Sequence, residues 1–229
     1  MGIRGVIFDY GMVLTGPPVA AAHAEMVRIT GLTAEQFERF YWADRHAYDE
    51  GKLSGVMFWE RFKELSGLNL TEEELAELNR QDARMWTTSD PAMLAWQQKL
   101  KAHGIRTAIL SNMGDSVLEN IEREFAWIHG FDVLVWSYQH GMAKPDPAIY
   151  QRALEQMGTA PRETLFVDDK MENITAARKL GMKAVQFSTV DRLREELTAA
   201  GWEIPLPEQL HTEPEYFVPG DKMKSMILS

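Results

Sequence analysis

Val6, Ile7 and Phe8 form a short apolar run that stops at Asp9, turns at Gly11 and resumes at Val13 and Leu14. An apolar run bounded by a carboxylate and a glycine predicts a buried strand, from Ile3 to Phe8, that delivers Asp9 from its C-terminal end. From roughly residue 18 to 86 the rhythm changes, and no strand-like run occurs. Thr33-Ala34-Glu35-Gln36 reads as a capping box opening a helix towards Glu50, with Phe37, Phe40, Tyr41 and Tyr48 on one face and Asp44 interrupting it. Gly51-Lys52-Leu53-Ser54 breaks that helix, and another runs over Val56 to Leu65. Thr71-Glu72-Glu73-Glu74 is a second capping box, leading towards Trp86. The pattern predicts about four helices in this block.

Beyond it the two rhythms alternate. Asp90-Pro91 opens a helix closed near Gly104, and Arg106 to Leu110 is a strand ending at Ser111-Asn112. A helix over Ser116 to Trp127 precedes a strand over Phe131 to Trp136, and Asp146-Pro147 caps a helix closed by Gly158. Thr164 to Val167 is a strand ending in Asp168-Asp169, then come a helix to Leu180, a fifth strand over Lys183 to Phe187 and a helix over Asp191 to Ala200. Strand-helix alternation of this kind predicts an α/β fold with a Rossmann-like doubly wound parallel sheet. Because alternation resumes only after the helical block, residues 1–14 and 88–204 are expected to form the α/β core and 15–87 an inserted helical cap. Residues 205–229 hold several prolines and no periodicity, and are expected to form a C-terminal tail.

Composition narrows the function. Net charge is −10 with Lys and Arg scattered among the acids, so the clustered cations of a nucleic-acid grip are missing. The chain has no cysteine, which excludes disulfides, thiolate metal sites and cysteine nucleophiles. No apolar run approaches the ~18 residues of a membrane helix, and no cationic leader precedes the first strand. These features lead to an expectation of a cytoplasmic protein and set no oligomeric state.

Four strand ends carry polar residues: Asp9, Ser111-Asn112, Lys144 in a following loop, and Asp168-Asp169. Open parallel sheets bind ligands outside the carboxyl ends of their strands. Three carboxylates converging there repel one another and are costly to desolvate without a cation. An all-oxygen site with few protein ligands suits Mg²⁺, completed by water and substrate phosphate. Asp9 can then serve as a nucleophile on phosphorus, Ser111 as a donor to the transferred group and Lys144 as a fixed positive charge. Asn112 is better placed to position its neighbours. Trp42, Tyr48, Trp59 and Trp86 are bulky enough for a pocket wall, although aromatics at helical spacing more often fill a core.

In order and spacing the set resembles the haloacid dehalogenase-like hydrolase superfamily over nearly the whole chain. Phe8-Asp9-Tyr10-Gly11-Met12-Val13-Leu14 looks like its first motif, Leu110-Ser111-Asn112 its second, Lys144-Pro145-Asp146 its third and Phe166-Val167-Asp168-Asp169 its fourth. The helical insertion is similar to the C1 cap of subfamily I, and Glu50 with Gly51 to Ser54 to the cap segment over the pocket. Ser137 to Asp146 is worded like the branch holding the phosphatase domain of soluble epoxide hydrolase and bacterial sugar-phosphate phosphatases. The resemblance implies a Mg²⁺-dependent phosphatase of a small phosphorylated metabolite. Asp9 would form an aspartyl-phosphate, Ser111, Asn112 and Lys144 would hold the phosphate, and Asp9, the Gly11 carbonyl, Asp168 and Asp169 the metal.

One position departs from the pattern. The family's phosphatases normally place an acid-base Asp two residues after the nucleophile, where this chain has Gly11. General acid-base catalysis is worth about 10²–10⁴-fold. An active phosphatase without that group is expected to favour aryl or anomeric phosphates over alkyl ones, and Gly11→Asp to raise alkyl activity. His23, His140, Tyr10 and Glu50 are candidate substitutes. The other readings are a catalytically silent member binding a phosphorylated ligand or a protein, and a 2-haloacid dehalogenase. Against the last, dehalogenases need no metal and place Tyr at the position of Gly11.

Overall fold

In the computed structural model, which describes residues 2–209, five parallel strands form one sheet. They are β1 (Gly5–Phe8), β2 (Arg106–Ser111), β3 (Val133–Trp136), β4 (Thr164–Asp168) and β5 (Lys183–Gln186), in the order β3-β2-β1-β4-β5. Between β1 and β2 lie α1 (Ala20–Thr30), α2 (Ala34–Ala43), α3 (Arg45–Asp49), α4 (Gly55–Ser66), α5 (Glu72–Arg84) and α6 (Pro91–Ala102). Later connections hold α7 (Asp115–Glu124), α8 (Ser137–His140), α9 (Pro147–Met157) and α10 (Met171–Lys179), and α11 (Val190–Ala199) follows β5.

Side chains alternate across a strand, so each strand feeds two cores. Val6, Phe8, Ile109, Leu165, Val167 and Val185 point to one face, packed with Trp96 of α6 and Leu193 and Leu197 of α11. Ile7, Ala108, Leu110, Phe166 and Ala184 point to the other, against α9 and α10. Burial on both faces is why these strands read as continuous apolar runs. Burying a side chain such as Phe8 contributes about 1.5–3 kcal/mol, and its ring meets Trp96 edge-on at 5.4 Å. The Trp96 indole donates to the Pro205 carbonyl at 2.7 Å, fastening the start of the expected tail to the core; residues 210–229 of that tail lie outside the described residues.

The helices between β1 and β2 extend that first core with a run of aromatic side chains. Phe37, Tyr41, Tyr48, Phe58, Trp59 and Phe62 are fully buried, with Tyr48 stacked on Phe58 at 4.8 Å. Both capping boxes form, Thr33 with Gln36 and Thr71 with Glu74. The helix expected from Thr33 to Glu50 is two, however, because the chain leaves helical geometry at Asp44 (φ −115°, ψ 8°). That break keeps Phe37, Tyr41 and Tyr48 all facing inward while Asp44 turns out to accept from Arg61 at 2.8 Å. Two later boundaries also move. The helix expected over Ser116 to Trp127 ends at Glu124 and continues as a 3-10 turn, and the segment after β3 contains the short α8.

Direct contacts seat α3 and α4 on α7 and the residue before it. The Gly55 amide donates to Asp115 Oδ1 at 2.8 Å, and the Tyr48 hydroxyl accepts from the Val117 amide at 3.4 Å. Gly114, just before α7, lies under the Tyr48 ring so closely that a Cβ there would overlap it. Among the described residues, no helix is long and apolar enough to cross a membrane. Gly114→Ala should therefore lower stability by about 1–3 kcal/mol, the usual cost of overpacking. Gly130→Ala, with open space around its Cβ, should change stability by under about 0.5 kcal/mol. Urea unfolding of the two variants checks this, and equal effects would contradict so tight a seat.

Candidate active site

The central strand β1 lies between β2, which leads outward to β3, and β4, which leads outward to β5, so the strand order reverses between β1 and β4. Ligand crevices form outside the carboxyl ends of strands at such a switch point. Asp9 follows β1 there and Asp168 ends β4 beside it, since Phe8 pairs with Val167. Ser111 ends β2 on the other side of β1.

Lys144 ties these ends together. Its buried ammonium lies 2.8 Å from Asp9 Oδ1 and 2.7 Å from Asp168 Oδ2. Asn112 sets the lysine's backbone: its carboxamide donates to the Lys144 carbonyl at 2.9 Å and accepts from the Lys144 amide at 2.8 Å. Both hydrogen bonds brace the Lys144 backbone. Asp168 is held further by the Lys170 amide at 2.8 Å and by Asn173 Nδ2 at 3.0 Å from each carboxylate oxygen. The Tyr10 amide donates to Asp9 Oδ1 at 2.7 Å, whereas Asp9 Oδ2 has no protein partner among the described contacts.

Carboxylate oxygens of Asp9, Asp168 and Asp169 lie within 4.8 Å of one another. Burial pushes the Asp9 carboxyl up to about 7 against the pull of Lys144, and Asp168 and Asp169 add to the rise. Burial and then Asp168 also raise Asp169. Burial lowers the Lys144 ammonium, but Asp168 and Asp9 outweigh it and hold the group above its ordinary value. One buried ammonium, Lys144, thus contacts two of the three carboxylates, and the exposed Lys170 also pulls on the third, Asp169. The donor set fits a hard divalent cation, which takes oxygen ligands and offsets this excess of negative charge.

A cavity of about 430 Å³ opens over these groups, with Asp9, Gly11, Ser111, Asn112, Lys144 and Asp169 on its wall. Its other side comes from the inserted helices and the loop after β1. Of the four aromatics considered for a pocket wall, Trp42 and Trp86 line it. Tyr48 and Trp59 do not, because both are fully buried in the helical interior. Met12 joins the wall with its backbone in the left-handed region (φ 60°), in a turn where the Leu14 and Thr15 amides both donate to the Tyr10 carbonyl at 3.0 Å. Backbone held in that region is a recurrent mark of functional sites.

Of the candidate substitutes for the missing acid, none is a free group at the cavity. His23 pairs with Glu38 at 2.6 Å, and neither His23, His140 nor Glu50 lines the wall. Tyr10 does, but its hydroxyl donates to the Trp86 carbonyl at 2.9 Å and burial raises its pKa. Gly11 is covered by an indole: a Cβ there would lie 3.4 and 3.6 Å from ring atoms of Trp86. These are ordinary van der Waals separations, so the Cβ added by Gly11→Asp would pack against that ring.

Sequence reasoning missed Arg45, His46 and Asp49, three further wall residues on α3. Arg45 is buried with Tyr41, Asp49 and Asp82: its Nε donates to Asp49 Oδ1 at 3.0 Å and its Nη1 to both oxygens of Asp82 at 3.0 Å. The available signal was a cation four residues after Tyr41, on the buried stripe of a helix.

Fold and site together define a doubly wound α/β protein with an acidic, lysine-bridged crevice. The model of the haloacid dehalogenase-like hydrolase family matches residues 3–181. The chain belongs to that family. It is 30% identical over 188 residues to the phosphatase MT3486 of Mycobacterium tuberculosis, covering 80% of this chain and 87% of that protein. It is 27% identical over 209 residues to the D-ribitol-5-phosphate phosphatase of Bacteroides thetaiotaomicron, covering 86% of this chain and 97% of the relative. Among solved structures, a HAD family enzyme of Bacteroides thetaiotaomicron in complex with magnesium and inorganic phosphate has the same fold, with a TM-score of 0.70 at 22% identity over 82% of this chain and 95% of that one.

Removing the bridging charge should expose the repulsion it offsets. Without added metal, Lys144→Met should cost about 3–5 kcal/mol at pH 8, the range for orphaning a buried ion pair. The loss should shrink towards pH 5. Asp9 is raised in the folded state, so protons bind the native protein preferentially between the ordinary carboxylate range and about pH 7, and there they relieve the repulsion. Melting curves at the two pH values check this, and a loss independent of pH would contradict the charge account.

Proposed function

We propose that the protein is a Mg²⁺-dependent phosphatase of a small phosphorylated metabolite, with sugar phosphates the class to test first. The observation that carries this reading is the Asp9 carboxylate, one oxygen held by Lys144 and the Tyr10 amide and the other left without a protein partner. A carboxylate restrained on one oxygen and free on the other suits in-line attack on phosphorus. The family membership and the phosphatase names of two relatives support it.

In this reading Asp9, the Gly11 carbonyl, Asp168 and Asp169 would hold the metal, with Asp169 the less engaged member of the acidic pair. A bound Mg²⁺ would neutralise the carboxylates and polarise the phosphoryl oxygens. Ser111 and Lys144 hold the transferred group, and Asn112 keeps Lys144 in place. Asp9 attacks phosphorus, the ester oxygen leaves, and water then attacks the aspartyl-phosphate to release inorganic phosphate and restore Asp9. Residues 1–14 and 88–204 act as the catalytic core and 15–87 as a cap that closes over substrate and excludes bulk water, with 205–229 a tail outside the chemistry. A cavity of about 430 Å³ matches a small metabolite. The indoles of Trp42 and Trp86 and the side chain of Met12 give the leaving group an apolar wall.

Phosphate release from a panel of phosphorylated metabolites should require Mg²⁺, stop with EDTA and fall by at least about 10³-fold in Asp9→Asn, as loss of a nucleophile demands. Turnover that survives EDTA or Asp9→Asn would contradict the proposal, and metal-free halide release from 2-haloacids would replace it with a dehalogenase.

A further inference from the structure

Gly11 leaves the proposed reaction without its expected proton donor, and the wall of the cavity restricts what can replace it. Core residues with a charge there are either engaged around Asp9 and Lys144 or, like Lys170 and Glu172, exposed. The inserted helices contribute three ionisable side chains, Arg45, His46 and Asp49. Arg45 is permanently charged and bound on both sides by carboxylates. The His46 side chain is 71% exposed and turned to Glu50 at 3.2 Å.

Asp49 differs from both. Its side chain is only 15% exposed, and Arg45 Nε donates to Oδ1 at 3.0 Å while Oδ2 has no protein partner among the described contacts. The backbone is anchored to the core as well. The Asp49 carbonyl accepts from the Ser137 hydroxyl, which itself accepts from the Met113 amide at 2.8 Å, so the residue is tied to the segments just beyond β2 and β3. Two residues on, Gly51 (φ 76°) passes so close to the Tyr138 carbonyl that any Cβ would overlap it. These contacts hold one half-clamped carboxyl on the cap side of the cavity floored by Asp9.

We infer that Asp49 is the general acid-base of this enzyme, a catalytic residue supplied by the cap in place of the aspartate absent at Gly11; this rests on the phosphatase reading above. As Asp9 Oδ2 bonds to phosphorus and the P–O bond to the leaving group breaks, the Asp49 carboxyl gives its proton to the departing oxygen, yielding the free alcohol. The Asp49 carboxylate then takes a proton from the water that attacks the aspartyl-phosphate. The P–O bond to Asp9 breaks, inorganic phosphate leaves and both aspartates return to their starting forms. The charged groups around Asp49 are Arg45 on its own helix, Asp82 on α5 and Lys170 before α10. Burial raises its pKa to about 6, although Arg45 pulls against it, so near neutrality the group can both give and take a proton.

The test compares the Mg²⁺-loaded full-length protein with Asp49→Asn, Asp49→Glu and Asp82→Asn, using p-nitrophenyl phosphate and an alkyl phosphate such as glycerol phosphate. A good leaving group needs no proton and a poor one does. Asp49→Asn should lower kcat/KM by about 10²–10⁴-fold on the alkyl ester and less than about tenfold on the aryl ester. Asp82→Asn disturbs the same Arg45 but leaves the Asp49 carboxyl, so its two losses should match. Should Asp49→Asn fail to fold by its melting curve, Asp49→Glu decides, because moving the carboxyl must change the alkyl-to-aryl ratio. A uniform loss in Asp49→Asn, or an unchanged ratio in Asp49→Glu, overturns the assignment while leaving an active wild type as a phosphatase. A wild type that releases phosphate from neither ester overturns both.

Discussion

One buried ammonium between two carboxylates is the constraint around which the rest is arranged. Lys144 stands in contact with Asp9 and Asp168, which reach it from neighbouring strands. Desolvating three such charges is costly, and the protein offsets the cost by hydrogen-bonding nearly every participant: Asp168 by Asn173 and the Lys170 amide, Asp9 by the Tyr10 amide, and the lysine backbone by Asn112. The arrangement still has a negative excess, because Asp169 adds a third carboxylate that Lys170 and Lys144 only partly offset. That excess favours a divalent cation at the cluster, and in the proposed reading the cation is what would let an anionic phosphoryl group approach.

The fold serves this cluster through register. With all neighbouring strands parallel, their carboxyl ends fall on one edge of the sheet, and the alternation of side chains seals both faces beneath it. The inserted helices complete the enclosure from the other side. Their aromatic side chains join the core beneath the sheet face, and Tyr48 stacks on Phe58 while its ring closely approaches Gly114 just before α7. The indoles of Trp42 and Trp86 then line the cavity, which couples the shape of the pocket to packing in the helices.

Much of this is legible in the residues. Apolar runs ended by polar residues marked every strand and placed Asp9, Ser111 and Asp168 at their ends, because a strand buried on both faces must stop where polarity begins. Capping boxes at Thr33 and Thr71 showed two helix starts, since the signal is local and complete within four residues. Contacts that join distant segments were not legible. Nothing near Trp59 distinguishes it from Trp42, yet one is core and the other wall, because burial depends on neighbours from other helices. The indole over Gly11 belongs to a residue at the far end of the insertion, and Arg45 finds Asp82 across a gap that only the folded helices close. Arg45, His46 and Asp49 line the cavity through this folding of the helices, and no local pattern singled them out.

The central claim is that Asp9 itself bonds to phosphorus. Rapid acid quenching of the working enzyme with a turned-over phosphate ester, followed by peptide mass spectrometry, tests it most directly. The account predicts a phosphoryl group on the peptide carrying Asp9, located at that aspartate and removed by hydroxylamine. Under the same conditions, steady turnover with no phosphoryl group on Asp9, or with the group on another residue, would contradict it.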